Sequence, residues 1–131
     1  MVSYRLLKRY RNYIQERYID HEIYAFTEEE VRGIEESGAD FDQIAREMAN
    51  DFLQEGTQVV YGVNKKEEKE KGLNVHVHFA INTVDYRTGK KRRETMTNTK
   101  ERSERMNWIV ENHISMSFKH KREVRKGAKK G

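Results

Sequence analysis

The 131-residue chain has no cysteine and no proline. Without cysteine there are no disulfides, no thiolate nucleophile and no cysteine-ligated zinc, so any chemistry falls to histidine, carboxylate and hydroxyl groups. Without proline there is no rigid linker and no proline turn to mark a boundary. Long apolar runs are missing as well. The longest fall far short of the ~20 residues that cross a bilayer, and Met1 is not followed by a signal-type stretch. These absences predict one compact, soluble, cytoplasmic domain with a small core, since a chain of this size hides roughly two thirds of the surface that its unfolded form exposes.

Charge, by contrast, is abundant and unevenly placed. Charged residues make up 37% of the chain and the net charge is +4, but the segments carry +2 (1–26), −8 (27–56), +1 (57–83) and +9 (84–131). The last segment holds two basic clusters. One is Arg87, Lys90, Lys91, Arg92 and Arg93; the other runs from Lys119 to Lys130. Two such clusters suit a polyanion, most commonly nucleic acid, because every neutralised phosphate releases counterions. Residues 121–131 are expected to form a basic, flexible tail behind a domain spanning 1–120.

Tyr4, Leu7, Tyr10, Ile14 and Tyr18 recur at spacings of three and four, which predicts a helix over 4–18. His21 to Phe26 reads as a strand, and Thr27 with Glu30 as a capping box opening a helix that Gly33, Ser37 and Gly38 weaken. A stronger helix over about 42–55 carries the stripe Phe41, Ile44, Ala45, Met48, Phe52 and Leu53, capped by Asp40 or Asp42 and ended by Gly56. Thr57 to Val63 reads as a strand, Asn64 to Gly72 as an exposed charged loop, and Leu73 to Val84 as a long strand. A turn at 85–90 precedes a helix from Asn98 to about residue 112, with Met106, Trp108, Ile109 and Val110 facing the core. Ile114 to Phe118 alternates as a half-buried strand does. The expected fold is α+β: an antiparallel sheet of four or five strands with helices mainly on one face.

Asn74 to Asn82 carries the chemistry. Alternation on a strand turns Val75, Val77, Phe79 and Ile81 to the core, so Asn74, His76, His78, Ala80 and Asn82 share the other face. Two neutral imidazoles side by side can present ring nitrogens to one divalent ion, with carboxylate, histidine or water completing the shell. The same pattern also suits the wet face of an amphipathic strand that binds no metal.

His76-Val77-His78, followed by Asn82, Val84-Asp85 and Thr88-Gly89-Lys90-Lys91, resembles the His-hydrophobic-His (HUH) motif of endonucleases that nick single-stranded DNA at transfer and replication origins. It looks most like the plasmid mobilisation proteins, the relaxases, over about residues 20–118. The resemblance implies a sandwich fold of the HUH type and a divalent ion such as manganese or magnesium on His76 and His78. It implies a tyrosine that attacks the scissile phosphate, leaving a 5′-phosphotyrosine and a free 3′-hydroxyl. Asn82 then belongs behind the histidines, and Arg87, Lys90, Lys91, Arg92 and Arg93 meet the DNA backbone.

Two departures stand out. Relaxases of this kind usually carry a third histidine where this chain has Asn64, so Asn64, Glu67 or Glu68 in the loop, or His21 on a neighbouring strand, are the substitutes. The family's tyrosine lies near the N-terminus, leaving Tyr4, Tyr10, Tyr13 and Tyr18 as candidates, and the family's first strand is expected to be missing. Single-stranded DNA is the expected partner, with self-association or mobilisation accessory proteins as further ones. Three readings follow: a relaxase-type strand transferase with an impaired site, an inactive single-strand-binding module of the same fold, or a protein–protein module in which the acidic 27–56 of one copy meets the basic half of another.

Overall fold

A computed structural model describes residues 5–9, 19–70, 72–82 and 96–130, with side chains described for 19–70, 72–82 and 98–127. The elements are β1 (Arg5–Arg9), β2 (Ile19–Ala25), α1 (Glu28–Ser37), α2 (Phe41–Gln54), β3 (Val59–Glu68), β4 (Gly72–Asn82) and α3 (Met96–Lys130). The strands form one four-stranded antiparallel sheet in the order β1-β2-β4-β3, the α+β architecture anticipated from the pattern of elements.

Local chemistry sets the helix boundaries. At α1 the Thr27 hydroxyl accepts from the Glu30 amide at 3.1 Å while the Glu30 carboxylate accepts from the Thr27 amide at 2.9 Å, the reciprocal capping box. Gly38 closes that helix at φ 81°, a left-handed conformation that glycine adopts without strain. Asp40 caps α2 by accepting from the Asp42 amide at 2.9 Å. Along α2, Phe41, Ile44, Ala45, Met48, Ala49 and Phe52 are buried at helical spacing.

The core lies between these helices and one face of the sheet. Tyr24 from β2 and Val75, Val77, Phe79 and Ile81 from β4 meet Ile34, Ile44, Met48, Phe52, Met106 and Val110, all fully buried. Burying such a side chain contributes roughly 1.5–3 kcal/mol, so this alternation fixes which face of β4 turns inward.

Several expectations fail against this structure. Residues 5–9, expected in a helix, form β1, paired with β2, so a strand stands ahead of β2 where the resemblance suggested that one was missing. Tyrosines and leucines spaced by three and four also occur in strands, and β-propensity with pairing prevails here. The supposed charged loop 64–68 extends β3, because backbone pairing from Asn64↔His76 to Glu68↔Gly72 is indifferent to the charge on outward side chains. β3 is a sheet edge, and lysines there discourage pairing with another chain. The predicted strand 114–118 and tail 121–130 are both part of α3, which starts two residues before Asn98 and runs unbroken for 35 residues. Ile114 lies one helical turn beyond Val110 and packs against the core, and no glycine or turn pair separates Asn112 from Ile114. Trp108, expected inside, is 60% exposed on α3.

Candidate functional site

The helices use one face of the sheet, and β4 presents His76 and His78 on the other. His76 is half-buried and His78 exposed. Their ring centres are 6.3 Å apart with planes at 64°. His76 stands in register between Ala25 on β2 and Asn64 on β3, and His78 between Ile23 and Gly62. Ala25 and Gly62 are small, and a Cβ added at Gly62 would meet nothing within 4 Å, so these two neighbours add little bulk beside the imidazoles.

Two nitrogens on one ion lie no more than about 4 Å apart, twice the ~2.1 Å metal–nitrogen bond. Ring centres at 6.3 Å permit that once each ring turns a nitrogen toward the gap, so the pair fits a divalent ion as two of its ligands. Among the described residues, no group of three or more histidine, aspartate or glutamate side chains gathers around one point. Asn64 is exposed and directly opposite His76, on the same face. His21 pairs with Ala80, which sets it diagonal to His78, about 7–8 Å away for such positions. Glu67 pairs with Leu73, and alternation puts it on the other face. Glu68 shares the histidine face but accepts from the Asn74 side-chain amide at 3.0 Å.

Asn82 is four residues beyond His78, about 13 Å along the strand, and donates to Gln58 Oε1 at 3.3 Å. It secures the start of β3 and does not reach the rings. The candidate nucleophiles Tyr4, Tyr10, Tyr13 and Tyr18, and the basic cluster Arg87, Lys90, Lys91, Arg92 and Arg93, lie outside the described residues. Both tyrosines with described side chains, Tyr24 and Tyr61, stand at positions of the helix-side face. Tyr24 is fully buried and donates to Glu30 Oε2 at 2.7 Å, with Asn107 Oδ1 at 3.0 Å. Burial, then the bond to Glu30, push its hydroxyl pKa well above the usual phenol value, so it does not supply a phenolate. His113 pairs with Glu47 on the helical side, and His120 is exposed on α3.

Sequence reasoning missed a buried charge cluster behind the sheet. Arg102, on α3 and fully buried, reaches Glu22 on β2 at 3.4 Å and Glu55 at the end of α2 at 3.0 and 3.2 Å. Its guanidinium sits 4.7 Å from the centre of the Phe52 ring. Arg105 adds a two-pronged contact to Asp51 at 2.7 and 2.9 Å. Burial raises the Glu55 carboxyl above its ordinary range, against the downward pull of Arg102. Glu22 stands between Asp20 and Tyr24 at inward positions of β2, and a carboxylate at an inward strand position was the available signal that a cation must come to meet it. The cluster ties β2, which carries His21 on its other face, to two helices.

Residues 4–113 match the family model described as "Relaxase: MobA/VirD2-like, nuclease domain". No curated protein and no solved structure matches the chain.

Proposed function

The chain belongs to the MobA/VirD2-like relaxase nuclease-domain family, and from that premise we propose that it nicks one DNA strand at a transfer origin, using a tyrosine and a divalent ion held by His76 and His78. The observation that carries this reading is the pair of imidazoles side by side on the sheet face opposite the helices. When bound there, the ion supplies charge neutralisation at the oxygens of the scissile phosphate. His76 and His78 give neutral nitrogen donors. Asn64, in register with His76, is the nearest further donor, and His21 the next. Glu67 drops out on parity. Asn82 acts through Gln58, keeping the β3 register that sets Asn64 beside His76.

One of Tyr4, Tyr10, Tyr13 and Tyr18 attacks phosphorus, the bond to the 3′ oxygen breaks, and a 5′-phosphotyrosine and a 3′-hydroxyl result. These residues flank β1 in sequence, and β1 is in register with β2, where Lys8 stands opposite His21. Arg87, Lys90, Lys91, Arg92 and Arg93 follow β4 closely in sequence and contact phosphates of the strand that reaches the histidines.

The test is cleavage of labelled single-stranded origin oligonucleotides, read as a covalent protein–DNA band. His76→Ala is expected to reduce it by at least ~100-fold, more than the loss of an outer-sphere partner. Among Tyr→Phe changes at the four positions, one is expected to abolish the band. Calorimetry is expected to give tighter binding of nickel or zinc than of magnesium, because imidazole favours the former.

A second reading, a single-strand-binding module without catalysis, is favoured by one observation: Asn64 occupies the position opposite His76 and no third acidic or histidine ligand joins the pair among the described residues. It requires salt-sensitive binding that survives His76→Ala, with no covalent band in any metal.

A further inference from the structure

The family match stops at His113, yet α3 continues to Lys130. Every residue of 119–127 is exposed. Within that stretch Lys119, Arg122, Arg125 and Lys126 fall at spacings of three, six and seven, which gathers them within about 120° of the helix circumference. Ile109, Val110, half-buried His113 and Ile114 mark the side of α3 that packs on the domain, with Ile114 at its edge nearest Arg125. At 100° per residue the four cations lie outside that side. Lys121 is turned differently: its ammonium donates to the Glu36 carbonyl at 3.0 Å, pinning α3 to the end of α1. Glu123, the only acidic residue of this stretch, lies at the margin of the cationic stripe.

We infer that this end of α3 is a second DNA-contact surface, which grips the phosphates of duplex DNA flanking the nicked strand. A partner must be anionic along a line of about two helical turns, and it must be reached by an α-helix whose residues 119–127 are exposed. The major groove of a duplex is about 12 Å wide and admits one. A lipid surface is a poor match, because Val124 is the one large aliphatic residue of 119–127 and leaves no apolar face to insert. The helices pack on the sheet face opposite to the histidines, so the stripe and His76 are on different sides of the sheet. The two contacts belong to separate stretches of DNA. The choice of DNA as the polyanion rests on the nuclease reading above; the surface itself does not.

The test uses the full chain and a labelled 16-base-pair duplex in fluorescence anisotropy, over salt from 50 to 200 mM. The variant Lys119→Gln, Arg122→Gln, Arg125→Gln, Lys126→Gln is compared with a control that exchanges lysine and arginine at the same four positions. Losing four phosphate contacts flattens the salt slope by about 3.6, so wild-type affinity is expected to fall across that range about 100-fold more than the variant's. The control is expected to keep the wild-type slope, and circular dichroism checks that both remain helical. His76→Ala is expected to leave duplex binding unchanged, and the quadruple variant to keep cleaving short single strands; these arms separate failure of this surface from failure of the nuclease reading. Equal duplex affinity and slope in wild type and quadruple variant overturn the inference. So does a variant whose only change is loss of self-association in light scattering, which would assign the stripe to the acidic helices of a second copy.

Discussion

Arg102 has no access to solvent, yet it carries a full charge between carboxylates from β2 and from the end of α2. Such a cluster adds little net stability over a well-packed apolar replacement, but removing one partner strands the others in a medium that cannot solvate them. Arg102→Ala is therefore expected to cost about 3–5 kcal/mol, seen as a lower urea midpoint. Arg102→Met combined with Glu22→Gln is expected to recover most of it, since no unpaired charge then remains at Glu22. A double variant as unstable as Arg102→Ala would show that shape, and not charge, holds this corner. Tyr24 makes a narrower case. Tyr24→Phe removes a buried hydroxyl bonded to Glu30 and is expected to cost about 1 kcal/mol while leaving the covalent DNA band intact, because that hydroxyl faces the helices.

Between elements, α1 and α3 approach closely at Gly33. A Cβ there would come within 3.0 Å of Ile114 Cδ1, so α1 and α3 touch where one helix has no side chain. Gly33→Val forces Ile114 aside and is expected to cost about 1–3 kcal/mol. Ile114→Ala in that background is expected to cost less than in the wild type, with a coupling of about 0.5–3 kcal/mol in a double-mutant cycle. This contact also explains what could be read in advance. Elements with chemical end signals, such as α1 with Thr27, Glu30 and Gly38 and α2 with Asp40, were legible from their residues, as was the inward and outward alternation that pairs His76 with His78. Elements defined by partners were not. Glu67 extends a strand only because Leu73 lies opposite, β1 exists only by pairing with β2, and Ile114 suits strand or helix until Gly33 offers it a seat. Arg102 was invisible for the same reason: its carboxylates lie 80 and 47 residues away in sequence.

Across the whole molecule, the charge polarity of the sequence folds back on itself. The acidic α1–α2 region is met by α3 through Arg105 with Asp51, Arg102 with Glu55, His113 with Glu47, and Lys121 with the Glu36 carbonyl. Among the described residues of α3 beyond Arg105, the cations left for a second copy are those of the stripe at its end. Four exposed ion pairs formed between copies contribute at most about 1 kcal/mol each. A micromolar dimer needs about 8 kcal/mol net, after an association cost of 4 kcal/mol or more. Among the described residues, apolar surface does not make up the difference: the most exposed large ones, Val60, Trp108, Val124 and Met116, are spread over β3 and the length of α3. Charge on this stripe alone therefore does not hold two copies together at micromolar concentration. Sedimentation at 20 mM and 300 mM salt is expected to give the same monomer mass. A dimer at low salt that dissociates at high salt would mean that the acidic helices bind the stripe in trans, and would remove the ground for assigning it to phosphates.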